Sequence, residues 1–556
     1  MRPADAHAVA GDRLGAWRGA VVHAHGWRRG ALAFAAGALS NLAMAPFFLA
    51  PVLFLTLPVL VWLIDGADGQ ERAGRAALLA AARAGWWFGF GYFLFGLFWI
   101  GEAFLVEADT FGWMLPFAVT LMPAGLALFW AAAAASARAF WRPGFGRIIA
   151  LALALGVFEW LRGHVLTGFP WNVLGYGLTW PLVMMQSAGL VGIYGLTLLA
   201  VPVFAAPLVM GGDARPGAPR RRAGVHALLI SAAPLVLLAG YGMIRLATAP
   251  SDMVEGVSIR IVQPSVPQRE KWQADKQAAI FQDHRDLSRT DPAGNRDDLA
   301  GITHVIWPEA AMPFLPLERP EALAAIGDTL PDGVHLLTGA LRREAAEDGA
   351  GEDRGHPFRA FNSLMVFDSD GGIAGLYDKT HLVPFGEYLP WQATLEAIGL
   401  EQLTRMRGGF TEGVTPRPVL TVPGLPPAGG LVCYEAIFPG VVGKSAAPPE
   451  LLVNVTNDGW FGNTTGPHQH FHQARVRAVE EGLPLVRAAN NGISAMIDAT
   501  GRIVAQLGLN ERGTLDTGLP RVHSRPLYAA WGDIIFLAAG LLLAATLVFS
   551  TKAGRR

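Results

Sequence analysis

The sequence predicts an α-helical membrane region of eight spans joined to a layered α/β domain. Three observations lead there. Hydrophobic residues fill 52% of the 556 positions and charged residues only 16%, with a mean hydropathy of +0.33, too apolar for a chain lying wholly in water. The apolar residues gather into eight runs, near 31–46, 48–64, 85–104, 111–135, 147–161, 184–210, 224–246 and 529–549. Between the last two runs lies a polar stretch, 247–527, which carries most of the Asp and Glu and mixes strand-like with helix-like segments.

The expected organisation is a cytoplasmic segment 1–30, seven helices within 31–246, a polar domain 247–527 outside the cytoplasm, an eighth helix in 528–549 and a cytoplasmic tail 550–556. Loop charge fixes the count and the orientation, because Lys and Arg favour the cytoplasmic side. Arg13, Arg18, Arg28 and Arg29 precede the first run, and Arg72, Arg75 and Arg83 follow the second, so two crossings lie between them. Glu102, Glu107 and Asp109 occupy the next loop without a basic residue. Arg138, Arg142 and Arg147 follow the fourth run, Arg215, Arg220, Arg221 and Arg222 the sixth, and Lys552, Arg555 and Arg556 end the chain. Ala43-Met44-Ala45 has the small residues of a signal-peptidase site, but Pro46 and the later runs favour an uncleaved anchor. Glu159 and Arg162, three apart on one helix face, suit a structural ion pair. The formal net charge of -1 gives no reason to expect a nucleic-acid partner, and the arginine-rich first 30 residues match no motif.

Within the polar domain, strands are expected at 257–261, 303–307, 334–341, 430–432, 451–455 and 484–488, and hairpins at 362–377 and 493–506. Helices are expected within 270–289, at 320–330 and near 468–482. Cys433, the only cysteine, follows the apolar Leu431-Val432 at a strand end and has no partner for an intrachain disulfide. It is either a packed, inert thiol or a nucleophile. Glu309 and Lys379 also stand just beyond strand-like runs. Singly, each reads as a surface charge. Together the three make a reactive set: a thiol to attack a carbonyl, a carboxylate to take its proton, and an ammonium to hold the developing oxyanion and lower the thiol pKa. Neither a cofactor nor a metal ion is expected.

Trp307-Pro308-Glu309, the block Tyr377-Asp378-Lys379 through Glu387-Tyr388, and Cys433-Tyr434-Glu435 resemble the nitrilase superfamily. That resemblance implies a four-layer αββα sandwich with a Glu–Lys–Cys triad. The whole layout, including Asn457-Asp458-Gly459-Trp460-Phe461-Gly462, Gln263-Pro264 and Lys271-Trp272, is similar to the apolipoprotein N-acyltransferase family of the bacterial inner membrane. The resemblance implies ping-pong acyl transfer from a phospholipid, expected to be the sn-1 chain of phosphatidylethanolamine, through a thioester on Cys433. The acceptor is the N-terminal amine of an S-diacylglyceryl-cysteine apolipoprotein. It also implies that Glu387 orients Lys379 or the amine, that a backbone N–H near Tyr434 aids the oxyanion, that Glu435 locks the Cys433 loop, and that Trp272 and Trp460 line the substrate path. The bilayer is a partner, and a monomer is expected. The segment 393–410, with Leu395, Ile398, Leu403, Met406 and Phe410, reads either as an interfacial lid or as an ordinary packed loop. Two rival readings are a membrane-anchored amidase acting on small amides and a transporter with a degenerate sensor domain.

Overall fold

The computed structural model describes residues 3–68, 74–212, 220–345, 358–397, 402–404 and 409–553. Arg72, Arg215, Arg555 and Arg556 of the loop-charge pattern, and Ile398, Met406 and Gly408 of the segment 393–410, lie outside them. The chain divides into two compact units. One comprises Met1–Phe98, Pro116–Ala247 and Ala530–Arg556; the other comprises Trp99–Leu115 and Thr248–Ala529.

The first unit is helical. Helices Gly26–Ser40, Leu53–Asp65, Arg75–Leu97, Leu115–Ala139, Phe145–Arg162, Ser187–Gly212, Arg220–Ala247 and Ile534–Ala553 follow the eight apolar runs. Among the described residues, four stretches are by length and composition long and apolar enough to cross a bilayer: Arg75–Leu105, Ala108–Ala139, Ser187–Met210 and Val225–Ala247. The helix Phe145–Arg162 carries the ion pair expected within it. Glu159 and Arg162 are fully buried with Arg162 Nη2 2.6 Å from Glu159 Oε2. Trp130 Nε1 donates to Glu159 Oε1 at 2.6 Å, and Arg162 Nη1 donates to the Trp171 carbonyl at 3.0 Å. Each charge thus has several partners, as burial requires.

The second unit is built on two six-stranded mixed sheets. The strands are β1 (Met253–Gln263), β2 (His304–Trp307), β3 (His335–Ala345), β4 (Phe358–Phe367), β5 (Ile373–Asp378), β6 (Val419–Leu420), β7 (Ala428–Val432), β8 (Leu451–Thr456), β9 (Leu485–Ala489), β10 (Ser494–Ile497), β11 (Ile503–Leu507) and β12 (Gly513–Pro520). One sheet runs β12-β1-β2-β3-β4-β5, the other β11-β10-β9-β8-β7-β6. In each, three central parallel strands are flanked by antiparallel ones.

Side chains alternate across each strand, so one sequence serves two cores. Ile306, Leu337, Leu364 and Val366 face the other sheet, where Val432, Val453, Val455, Val486 and Met496 meet them. Val305, Trp307, Leu336, Met365 and Phe367 face outward and pack on the helices Gln277–Ser288 and Pro320–Gly327 through Phe281, Leu287, Ala322 and Ile326. The two remaining strands, β6 and β12, form where the sequence pattern predicts none. β12 holds two glycines, a proline and Asp516, which looks unlike a buried strand. Its acid answers a buried cation on the neighbouring strand. β1 carries the fully buried Arg260, and Asp516 and Asp297 each reach its guanidinium at 2.6 Å.

Candidate active site

β7 is buried throughout, and the chain turns sharply where it ends. Cys433 takes φ +51°, a conformation that strains a non-glycine residue by on the order of 1–3 kcal/mol. The turn Cys433–Ile437 follows at once. Two bonds hold it: Glu435 Oε2 accepts from the Val432 N–H at 2.8 Å, and His470 Nε2 lies 3.1 Å from the Cys433 carbonyl. β8 runs parallel alongside with Val455 opposite Val432, so Thr456 comes beside Cys433, where its hydroxyl favours the thiolate.

Glu309 enters from the first sheet, two residues past the end of β2. Its approach needs the glycine at 339, where a Cβ would stand 2.4 Å from the Glu309 Cα. The carboxylate is buried, and its two oxygens accept from Asn362 Nδ2 at 2.8 Å and from the Asn457 N–H at 2.9 Å. Lys271, 2% exposed, donates to the Glu309 main-chain carbonyl at 2.9 Å. Lys379 follows directly on β5 and is 1% exposed. Its ammonium lies 3.0 Å and 2.9 Å from the two oxygens of Glu387. Glu387 also accepts from the Val383 N–H at 2.8 Å and from Asn362 Nδ2 at 2.9 Å. Asn362 therefore bridges Glu309 and Glu387.

The electrostatics follow from this geometry. Burial pushes the Cys433 thiol up and the Glu309 charge pushes it further, while Lys379 and Thr456 pull it back without prevailing. Lys379 acts in the expected direction, but desolvation outweighs it. Burial also raises Glu309 above the ordinary carboxylate range, against the pull of Lys379. Burial alone would lower Lys379, but the charges of Glu387, Cys433 and Glu309 more than reverse it, so it stays an ammonium. The set is a protonated thiol, a carboxylate disposed to take a proton, and a fixed cation.

Glu435 is fully buried and ties the Cys433 turn to the Lys379 loop. It accepts from Thr380 N at 2.9 Å, His381 N at 3.1 Å, Tyr377 Oη at 2.8 Å and Thr380 Oγ1 at 3.0 Å, with Arg417 at 3.1 Å. Tyr434 is 8% exposed and stands edge-on to Phe438 at 5.0 Å. Trp272 is 46% exposed and Trp460 half-buried, and among the described hydrogen bonds and ion pairs neither joins the groups above.

Sequence reasoning assigned no role to Lys271, Asn362 or to Asp458, His470 and Arg487 behind the nucleophile. Asp458 Oδ1 lies 2.9 Å from His470 Nδ1, and its Oδ2 accepts from Arg487 Nη2 at 2.7 Å. Burial opposes ionisation of Asp458, but Arg487 and His470 hold it well below the usual carboxylate range. Lys271 and Asp458 sit inside quoted motifs, where position alone was a usable signal. His470 lies mid-helix in Gly466–Glu481 and offered none.

The description "Carbon-nitrogen hydrolase" matches residues 261–527, and "Apolipoprotein N-acyltransferase N-terminal domain" matches residues 36–206. An apolipoprotein N-acyltransferase from Rhodopseudomonas palustris is 49% identical over 516 residues, 92% of this chain and 94% of that one. The protein of that description from Bradyrhizobium diazoefficiens is 47% identical over 529 residues, 94% and 96% of the two chains. That from Brucella melitensis is 46% identical over 511 residues, 90% and 92%. With similarity at this level across almost the whole of both chains, this chain belongs to the apolipoprotein N-acyltransferase family.

Proposed function

We propose that the protein moves an acyl chain from a membrane phospholipid to the N-terminal amine of a diacylglyceryl apolipoprotein by way of Cys433. Sγ attacks the sn-1 ester carbon of phosphatidylethanolamine while Glu309 takes the thiol proton. The tetrahedral oxyanion rests on Lys379 and the Tyr434 N–H. Its collapse expels the glycerol oxygen, which takes the proton back from Glu309 and leaves as lysophospholipid. The acceptor amine then attacks the thioester, Glu309 removes its proton, and the thiolate leaves and is reprotonated. Glu387 keeps Lys379 aimed, and Trp272 and Trp460 line the lipid path. An ester becomes an amide through a thioester, so no external energy source is needed.

The observation that supports this most is one buried network that carries all three residues: Asn362 joins Glu309 to Glu387, Glu387 holds Lys379, and Glu435 ties the loop after Lys379 to the turn at Cys433. A multi-span anchor suits the substrates, since drawing lipid chains into water costs ~0.8 kcal/mol per CH₂. We place eight spans in the bacterial inner membrane, both termini in the cytoplasm, 247–527 in the periplasm, and a monomer as the working form. Intact-protein mass spectrometry after incubation with phospholipid tests the reading. It predicts a single acyl adduct on the only thiol, discharged by a diacylglyceryl peptide with a free N-terminus. Ammonia release from small amides with no such adduct would overturn it in favour of an amidase.

A further inference from the structure

Cys433 is tied at two points to one buried carboxylate that the reaction above does not use. Asp458 is 1% exposed, and its Oδ1 meets both His470 Nδ1 at 2.9 Å and Thr456 Oγ1 at 3.0 Å. His470 reaches on to the Cys433 carbonyl, and the parallel register of β7 and β8, with Val455 opposite Val432, sets Thr456 beside Cys433. His470 and Thr456 are fully buried, and Arg487 fixes the far oxygen of Asp458 at 2.7 Å. Gly492 packs closely against it: a Cβ there would stand 2.3 Å from Asp458 Oδ2.

The direction of each bond follows from its atoms. A carbonyl only accepts, so His470 carries hydrogen on Nε2 and donates it to Cys433. Burial and the Arg487 charge favour the neutral ring, so Nδ1 is the acceptor, 3.2 Å from Arg487 Nη2, the same nitrogen that donates to Asp458. The Thr456 hydroxyl has one hydrogen, given to Asp458 while the sulfur is a thiol. A thiolate offers a stronger acceptor, and the hydroxyl can turn to it without moving its oxygen. The main chain at Cys433 is strained and needs a permanent hold on its carbonyl, whereas the sulfur needs a donor only when charged.

We propose that His470 and Thr456, packed on the buried Asp458, are positioning residues for Cys433. The first holds the strained carbonyl, and the second supplies the thiolate with a donor. The proposal concerns the same nucleophile as the acyl-transfer reading, but it can be tested without any lipid. Cys433 is the only cysteine, so its alkylation by iodoacetamide in the full-length, detergent-solubilised protein reports directly on thiolate availability.

Two pairs of variants separate positioning from mere packing. His470→Gln can still present an N–H where Nε2 stood, while His470→Asn reaches only as far as Nδ1. Thr456→Ser keeps the hydroxyl, while Thr456→Val keeps the shape without it. We expect His470→Gln and Thr456→Ser to alkylate within a few-fold of the parent. We expect His470→Asn and Thr456→Val to be about tenfold slower, the equivalent of one lost hydrogen bond. Equal rates within both pairs would overturn the proposal. If His470→Asn fails to fold, the threonine pair decides alone. Wild-type protein that alkylates in this pattern yet forms no acyl adduct leaves the positioning intact and defeats the acyl-transfer reading instead.

Discussion

Glu309 and Glu435 are both buried carboxylates within the field of Lys379, yet their surroundings drive them in opposite directions. Burial raises both. Around Glu309 the Lys379 charge, one carboxamide and one backbone N–H oppose it without prevailing, and a neighbouring carboxylate, Glu387, adds to the rise. Around Glu435 the Arg417 guanidinium lies 3.1 Å away and backbone N–H groups converge from Val432, Thr380 and His381, so burial is outweighed and the group is held below its ordinary value. A buried acid becomes a base where donors are withheld, and a permanent anion where they are supplied. The first can exchange a proton during a reaction, and the second can only hold parts together.

The sharpest way to break that contrast is to neutralise each acid. Glu309→Gln should lower formation of the acyl adduct by on the order of 10³-fold, the usual contribution of a general base. The protein should remain folded, losing about 1–2 kcal/mol because one amide oxygen cannot serve both Asn362 and the Asn457 N–H. Glu435→Gln should act on the fold instead, leaving Arg417 buried without its anion and costing about 3–5 kcal/mol in thermal unfolding. A Glu435→Gln protein with parental stability would end the distinction. Lys379→Met comes next in size. It removes the cation facing the oxyanion and should slow acylation by about 10²–10³-fold.

Acid unfolding sharpens the same comparison with a smaller effect. The folded-state pKa of Glu435 lies below the ordinary 4.5, so its contribution is fully present above that value. It is lost as the pH falls through the depressed folded value. Glu309 is raised, so it favours the folded state more when protonated and gives stability back as the pH rises through its folded value. Glu435→Gln should therefore flatten the loss of stability on acidification below pH 4.5, and Glu309→Gln should not. Thermal melts across that range check it.

Much of the architecture and the cluster could be seen in the sequence because polar residues interrupt apolar strands at their ends. Trp307-Pro308-Glu309, Tyr377-Asp378-Lys379 and Leu431-Val432-Cys433 announce themselves in this way. What stayed hidden depends on neighbours far away in the chain. β12 falls where no strand is expected, and its Asp516 answers Arg260 of β1, 256 positions distant. His470 is one of several polar residues in its helix, and only the fold turns it toward the Cys433 carbonyl. The net thiol pKa is hidden for a related reason: a cation can be read from sequence, but the extent of desolvation cannot. In the helical unit, the buried pair Glu159–Arg162 lowers the hydropathy of a helix whose charges never meet solvent.

Lys271 gives the smallest and most diagnostic test, because it is a second buried ammonium beside the same acid. Unlike Lys379, it joins no carboxylate among the described ion pairs; it holds the main-chain oxygen of Glu309 at 2.9 Å. Burial lowers it to about 8, with Glu309 and Cys433 resisting the fall. Above that pH the folded protein sheds this proton while the unfolded chain keeps it up to the ordinary 10.5. Folded stability should therefore rise between about 8 and 10.5, a slope that Lys271→Met abolishes. Over the same interval the parent loses a positive charge near the thiol, so its acylation rate should fall as the pH climbs through 8. Lys271→Met should start about tenfold lower, as expected for one lost charge-assisted contact, and show no such fall. A variant that keeps the descending limb would assign it to another group and leave Lys379 as the one cation that governs the sulfur.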